Sequence, residues 1–103
     1  MIIYIDIDET ICYTSKNRDY RFATPITERI EKINKLYDEG NYIVYWTARG
    51  SVTKIDWRDL TIEQLKKWNA KYSELRMDKP YYDLFIDDKN INSDEFFSEN
   101  KNE

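Results

Sequence analysis

A chain of 103 residues with 16 basic and 20 acidic side chains, a formal charge of −4 and no histidine loses several chemistries at once. It has no imidazole to act as general base, to complete a Ser-His-Asp or Cys-His system, or to ligate zinc, copper or iron. Its one cysteine, Cys12, can close neither an internal disulfide nor a thiolate cluster. The sequence pI of about 4.9 argues against nucleic acid and anionic membranes as partners, and a hydrophobic content of 41% suffices for one ordered domain over residues 1–97.

The chain opens with Ile2-Ile3-Tyr4-Ile5, a β-rich run apolar on both faces, as expected of a strand covered on both sides. Asp6 ends it, no basic leader precedes it, and no apolar stretch approaches the roughly 20 residues that span a bilayer. A soluble cytoplasmic protein is the expectation, and the unpaired Cys12 agrees with it. Residues 7 to 24 read as a polar loop with a short hairpin near Tyr20 to Phe22. Thr24 as N-cap and Pro25 at the first helical position predict a helix carrying Ile26, Ile30, Ile33 and Tyr37 on one face, closed by Gly40 in a left-handed cap. Tyr42 to Trp46 predicts a second two-face strand, parallel to the first because a helix intervenes.

After a polar loop to about Asp59, Thr61 and Gln64 form a capping-box pattern, and Ile62, Leu65, Trp68 and Tyr72 share a helical stripe. Leu75 to Met77 predicts a short third strand. Tyr82 to Ile86 predicts a fourth, ending in Asp87-Asp88, and Ser93 caps a short helix through Phe96 and Phe97 before a polar tail, residues 98–103. The whole describes an open, three-layer, Rossmann-like α/β sheet, its strands parallel and its helices on both faces. In such sheets ligands bind beyond the carboxyl ends of the strands.

Those ends carry the polar residues. Asp6 and Asp8 follow the first strand, Thr47 the second, and Asp87 and Asp88 the last, with Lys79 just before it. Four converging carboxylates need compensation, since unit charges about 4 Å apart interact by roughly 4 kcal/mol at an effective dielectric near 20. Lys79 and a hard divalent cation are the natural counter-charges, and with oxygen ligands alone Mg²⁺ is favoured. Read alone, Asp6 and Asp8 are as well explained as turn residues, Thr10 as a turn hydrogen-bonder, and Cys12 as a small buried side chain. Arg18, Arg21, Arg49 and Arg58 flank the crevice, where Arg49 and Arg58 could grip a second anionic group of a substrate, although solvated loop charge is the commoner use.

The run Ile2-Ile3-Tyr4-Ile5-Asp6-Ile7-Asp8-Glu9-Thr10 resembles the first motif of the haloacid dehalogenase superfamily, an apolar strand followed by Asp-x-Asp-x-Thr. Tyr42 to Thr47, Lys79 and Leu84-Phe85-Ile86-Asp87-Asp88 resemble the second, third and fourth motifs in order. The small size and the run from Lys79 to Lys89 resemble the capless phosphatases of capsule and surface-polysaccharide biosynthesis. Glu9 departs from the pattern, standing where many superfamily phosphatases carry Gly.

The resemblance implies a phosphomonoesterase with an aspartyl-phosphate intermediate. Asp6 would be nucleophile, Asp8 general acid and base, and Thr47 and Lys79 would hold the phosphoryl group, with Thr10 a further substrate contact. Mg²⁺ would be bound by Asp6, the Asp8 carbonyl and Asp87, with Asp88 direct or through water. The spans from Thr10 to Thr24 and from Gly50 to Leu60 are too short for a cap domain. An open site follows, covered by the Ile11–Ala23 flap, by the substrate or by a neighbour in a homo-oligomer. The implied substrate is a small phosphorylated metabolite, a sugar or polyol phosphate. The competing reading is a noncatalytic Mg²⁺- or phosphate-binding module serving a biosynthetic partner.

Overall fold

The computed structural model describes residues 1–98; the rest of the expected polar tail lies outside the described residues. In chain order the elements are β1 (Ile2–Ile5), β2 (Cys12–Tyr13), a 3₁₀ turn (Tyr20–Phe22), β3 (Thr24–Pro25), α1 (Thr27–Asp38), β4 (Tyr42–Trp46), α2 (Arg58–Lys67), β5 (Glu74–Arg76) and α3 (Ser93–Phe97). Strands β1, β4 and β5 form a parallel sheet in that order, while β2 and β3 pair antiparallel beside it. No helix among the described residues is long and apolar enough to cross a membrane.

The α/β class and the parallel pair agree with expectation, but the covering of the sheet does not. Ile3 and Ile5 lie opposite Ile43 and Tyr45, and Tyr45 lies opposite Leu75, so these side chains share one face. That face makes one core with Ile30 and Ile33 of α1 and Leu65 of α2, and Phe96 and Phe97 of α3 pack against the same cluster. Strand order β1-β4-β5 runs in one direction, and two right-handed crossovers advancing in one direction put both helices on one side. The opposite face carries Ile2, Tyr4 and Tyr42 in solvent. Among the described residues the expected three layers are therefore two.

Helix boundaries also move, for local reasons. Thr24 does not cap α1: it pairs with Tyr13, and the Ile26 amide donates to the Ile11 carbonyl at 2.8 Å, keeping the chain extended past Pro25. The helix starts at Thr27. At its other end Gly40 has φ +100°, and the amides of Gly40 and Asn41 donate to the carbonyls of Tyr37 and Leu36, a Schellman closure that turns the chain into β4. Asn69, at φ +59°, closes α2 the same way, with its own amide on Lys66 and that of Ala70 on Leu65. The capping box is not formed, because α2 begins three residues before Thr61, at Arg58. The Tyr20–Phe22 hairpin is instead a 3₁₀ turn capped by the Asp19 carboxylate.

The expected fourth strand at Tyr82 to Ile86 is absent. This segment is irregular, with Leu84 and Ile86 facing solvent. Its aromatic side chains satisfy one another locally, the Tyr82 and Phe85 rings lying 5.2 Å apart.

Candidate active site

Asp6 and Asp8 follow β1 with Ile7 fully buried between them; Asp6 faces the hollow shared with Lys79, while Asp8 turns to the buried Arg49. The turn that follows is tight. The amides of Thr10 and Ile11 both donate to the Ile7 carbonyl, and Glu9 adopts φ +63°. That left-handed backbone is where glycine is at ease, which explains the departure at Glu9. Its carboxylate makes the position tenable by accepting 2.8 Å bonds from both the amide and the hydroxyl of Thr14. Thr10 is buried and its carbonyl accepts from Arg29.

Lys79 is seated by the backbone. Its amide donates to the Thr47 carbonyl and its carbonyl accepts from the Ser51 hydroxyl at 2.6 Å. Its ammonium then lies 3.4 Å from Asp6 Oδ1, with the rings of Trp46 and Tyr82 at 5.7 and 5.6 Å. Burial raises the pKa of the Asp6 carboxyl above its ordinary value, and the Lys79 charge opposes this in part. Thr47 is almost wholly covered, does not line the hollow beside Asp6, and its hydroxyl oxygen accepts from the Arg49 amide.

Arg49 is not the exposed substrate cation that its loop position suggested. Its side chain is fully buried and forms a two-pronged ion pair with Asp8, Nη2 to Oδ1 at 2.9 Å and Nε to Oδ2 at 3.0 Å. Nη1 donates to Thr61 Oγ1 at 3.1 Å and to Gln64 Oε1 at 2.6 Å, and the Tyr20 ring covers the guanidinium at 4.7 Å. The Thr61-x-x-Gln64 spacing thus aligns two acceptors on one helical face for this arginine. Gln64 also donates to the Tyr20 carbonyl, anchoring the loop read as a flap, whose first residues, Ile11 and Cys12, belong to the core.

The other loop cations stay outside. Arg21 pairs with Asp19, Arg18 is exposed, and the exposed Arg58 donates to the Leu75 carbonyl at 3.5 Å. Sequence reasoning missed Thr61 and Gln64 as site residues, and the i, i+3 polar pair on an otherwise apolar stripe was the available signal.

The four expected metal ligands are not gathered. Asp87 and Asp88 lie in the exposed segment, where the Asp87 carboxylate accepts from the next residue's amide at 2.7 Å. Among the described residues no group of three or more acids or thiols is placed to hold a metal ion. Asp6 offers its carboxylate to the crevice, while Asp8 is taken up by Arg49. As arranged, this donor set does not fit Mg²⁺, which requires near-octahedral oxygen coordination.

No family model matches the sequence, and no curated protein matches it. A crystal structure of a target protein from Vibrio cholerae is similar at a TM-score of 0.83 and 29% identity, over 96% of this chain and 89% of that one. The likeness supports the fold along nearly the whole length and carries no activity with it.

Proposed function

We propose that this chain is a phosphohydrolase of the haloacid dehalogenase type, acting on a small phosphomonoester through Asp6. The observation that carries the reading is the Asp6 carboxylate at the carboxyl end of the parallel sheet with the Lys79 ammonium 3.4 Å away, a nucleophile beside a fixed positive charge able to receive phosphoryl oxygens. An Asp6 oxygen attacks phosphorus as the ester oxygen departs with the bonding pair and takes up a proton. Water then displaces the carboxylate from phosphorus, giving inorganic phosphate and regenerating Asp6. Lys79 offsets the oxyanion charge, and the Thr47 hydroxyl keeps its own hydrogen to donate. For Asp8 to carry the proton in both steps, one of its oxygens has to leave the Arg49 fork, since both are engaged by that guanidinium.

Mg²⁺ belongs to the proposal only through a different placement of Asp87 and Asp88, and no step is drawn through it. The same separation, together with the engagement of Asp8 by Arg49, favours a second reading: a phosphate-binding module without turnover. Release of p-nitrophenol from p-nitrophenyl phosphate, with and without Mg²⁺, decides between them. Turnover by the native chain that falls at least about a thousandfold in Asp6→Asn supports the hydrolase. No release above the Asp6→Asn control supports the binding module.

A further inference from the structure

Asp6 and Lys79 share a hollow of about 260 Å³ with Ala48, Pro80, Tyr81 and Tyr82. Whatever is esterified to a phosphoryl group held at Lys79 must meet those four residues. Two of them are tyrosines left in the open, Tyr81 at 71% and Tyr82 at 40% exposure. Neither ring is needed by the core, and exposed aromatics at the rim of a charged crevice have an apolar face and a hydroxyl to offer a ligand. Tyr82 is steadied by Phe85 on one side and by the Lys79 ammonium over its ring.

The composition of the hollow narrows the ligand. Apart from Asp6 and Lys79 no charged side chain among the described residues lines it, and Arg49, the loop cation that sequence pointed to, is buried against Asp8. A second phosphate or a carboxylate on the substrate would find no partner there. No amide or additional carboxylate side chain is present to read the hydrogen-bonding edge of a nucleobase. The size lies just below the usual range of about 300–1,000 Å³ for ligand pockets, which suits a single small ring with its phosphate.

We infer that Pro80, Tyr81 and Tyr82 form a stacking subsite for a neutral, hydroxyl-bearing ring, so that the substrate is a cyclic sugar carrying one phosphate. The inference rests on the phosphohydrolase reading for its chemistry but not for its binding test. Calorimetric titration of the Asp6→Asn chain compares glucose 1-phosphate and mannose 6-phosphate with glycerol 3-phosphate and inorganic phosphate. At least one ring phosphate is expected to bind about tenfold more tightly than glycerol 3-phosphate, in the range of a face contact with an aromatic side chain.

Adding Tyr81→Ala removes that margin while leaving inorganic phosphate unchanged, and Tyr81→Phe retains most of it; Tyr82→Ala, whose ring lies against the Lys79 ammonium, lowers the margin and the phosphate affinity together. Equal affinity for ring and open-chain phosphates, or a margin that survives both alanine substitutions, overturns the subsite. Hydrolysis of p-nitrophenyl phosphate by the native chain without any ring preference likewise overturns the subsite and leaves the hydrolase standing. The expected binding pattern with no hydrolysis of any of these esters overturns the hydrolase and leaves the subsite standing.

Discussion

Replacing Arg49 by methionine keeps an unbranched chain of similar reach and deletes a charge that the surrounding structure is built to meet. Asp8 loses both of its prongs, and Thr61 and Gln64 lose a donor at 3.1 and 2.6 Å. Removing one member of a buried ion pair costs about 3–5 kcal/mol. Asp8 has 20% of its side chain in water, and Thr61 and Gln64 keep their bonds to the Trp57 and Tyr20 carbonyls, so the lower end applies. A loss of about 3 kcal/mol corresponds to a fall in Tm of roughly 12–24 °C for a domain near 100 residues.

Urea unfolding measures it directly, as a lowered midpoint at unchanged m. Asp8→Asn combined with Arg49→Met is expected to recover about 2 kcal/mol relative to the sum of the single changes, since the stranded carboxylate is then gone. Arg49→Lys keeps the charge but cannot fork, so it recovers less than half. An Arg49→Met chain within about 1 kcal/mol of the native one would refute the assignment of Arg49 as the buried anchor of the site.

Three further outcomes are expected. A carboxyl whose pKa is higher folded than unfolded binds its proton more tightly when folded. Asp6 therefore contributes stability below its ordinary value of 3.8, which is lost as pH rises through the raised one. Asp6→Asn should flatten that downward slope in metal-free urea melts, by a small amount because 38% of the side chain is in water; an unchanged slope contradicts it. The Tyr45 hydroxyl is buried without a hydrogen-bond partner among the described residues, so Tyr45→Phe is expected to stabilise by about 1 kcal/mol in the same assay, and a loss of 1 kcal/mol would show that the hydroxyl is satisfied. Burial, with the Asp8 charge beside it, pushes the Cys12 thiol up to about 12, so a disulfide reagent at pH 8 should react at the rate of global opening and promptly in denaturant. Prompt labelling of the folded chain would contradict its burial.

The residues that were legible from sequence are those whose local chemistry leaves one option. Gly40 after an apolar stripe can only close a helix, and two apolar runs separated by that helix can only pair in parallel. Asp6 and Lys79 came together at the carboxyl end of the sheet, whereas Asp8 and the Thr47 hydroxyl turn to Arg49. Tyr82 to Ile86 misled because a short apolar run states a preference for burial, whereas strand formation also needs a partner edge, which no local pattern encodes. Arg49 misled for the converse reason: a loop arginine reads as solvated unless its acceptors, here on α2 and after β1, are known. Thr61 and Gln64 fitted a cap as well as they fit a guanidinium, and the difference lies in where the helix begins.

The one-sided packing of the sheet turns strand parity into a rule about sequence change. In β1 and β4 the odd-numbered residues Ile3, Ile5, Ile43 and Tyr45 hold the helices, whereas the even-numbered Ile2, Tyr4 and Tyr42 do not, and only Val44 among the even positions is buried. A systematic substitution of these strands should therefore alternate, tolerant and intolerant, up to Val44. Ile2, Tyr4 and Tyr42, outside the core, are where this small fold can accept new polar or charged groups without giving up the geometry that holds Asp6.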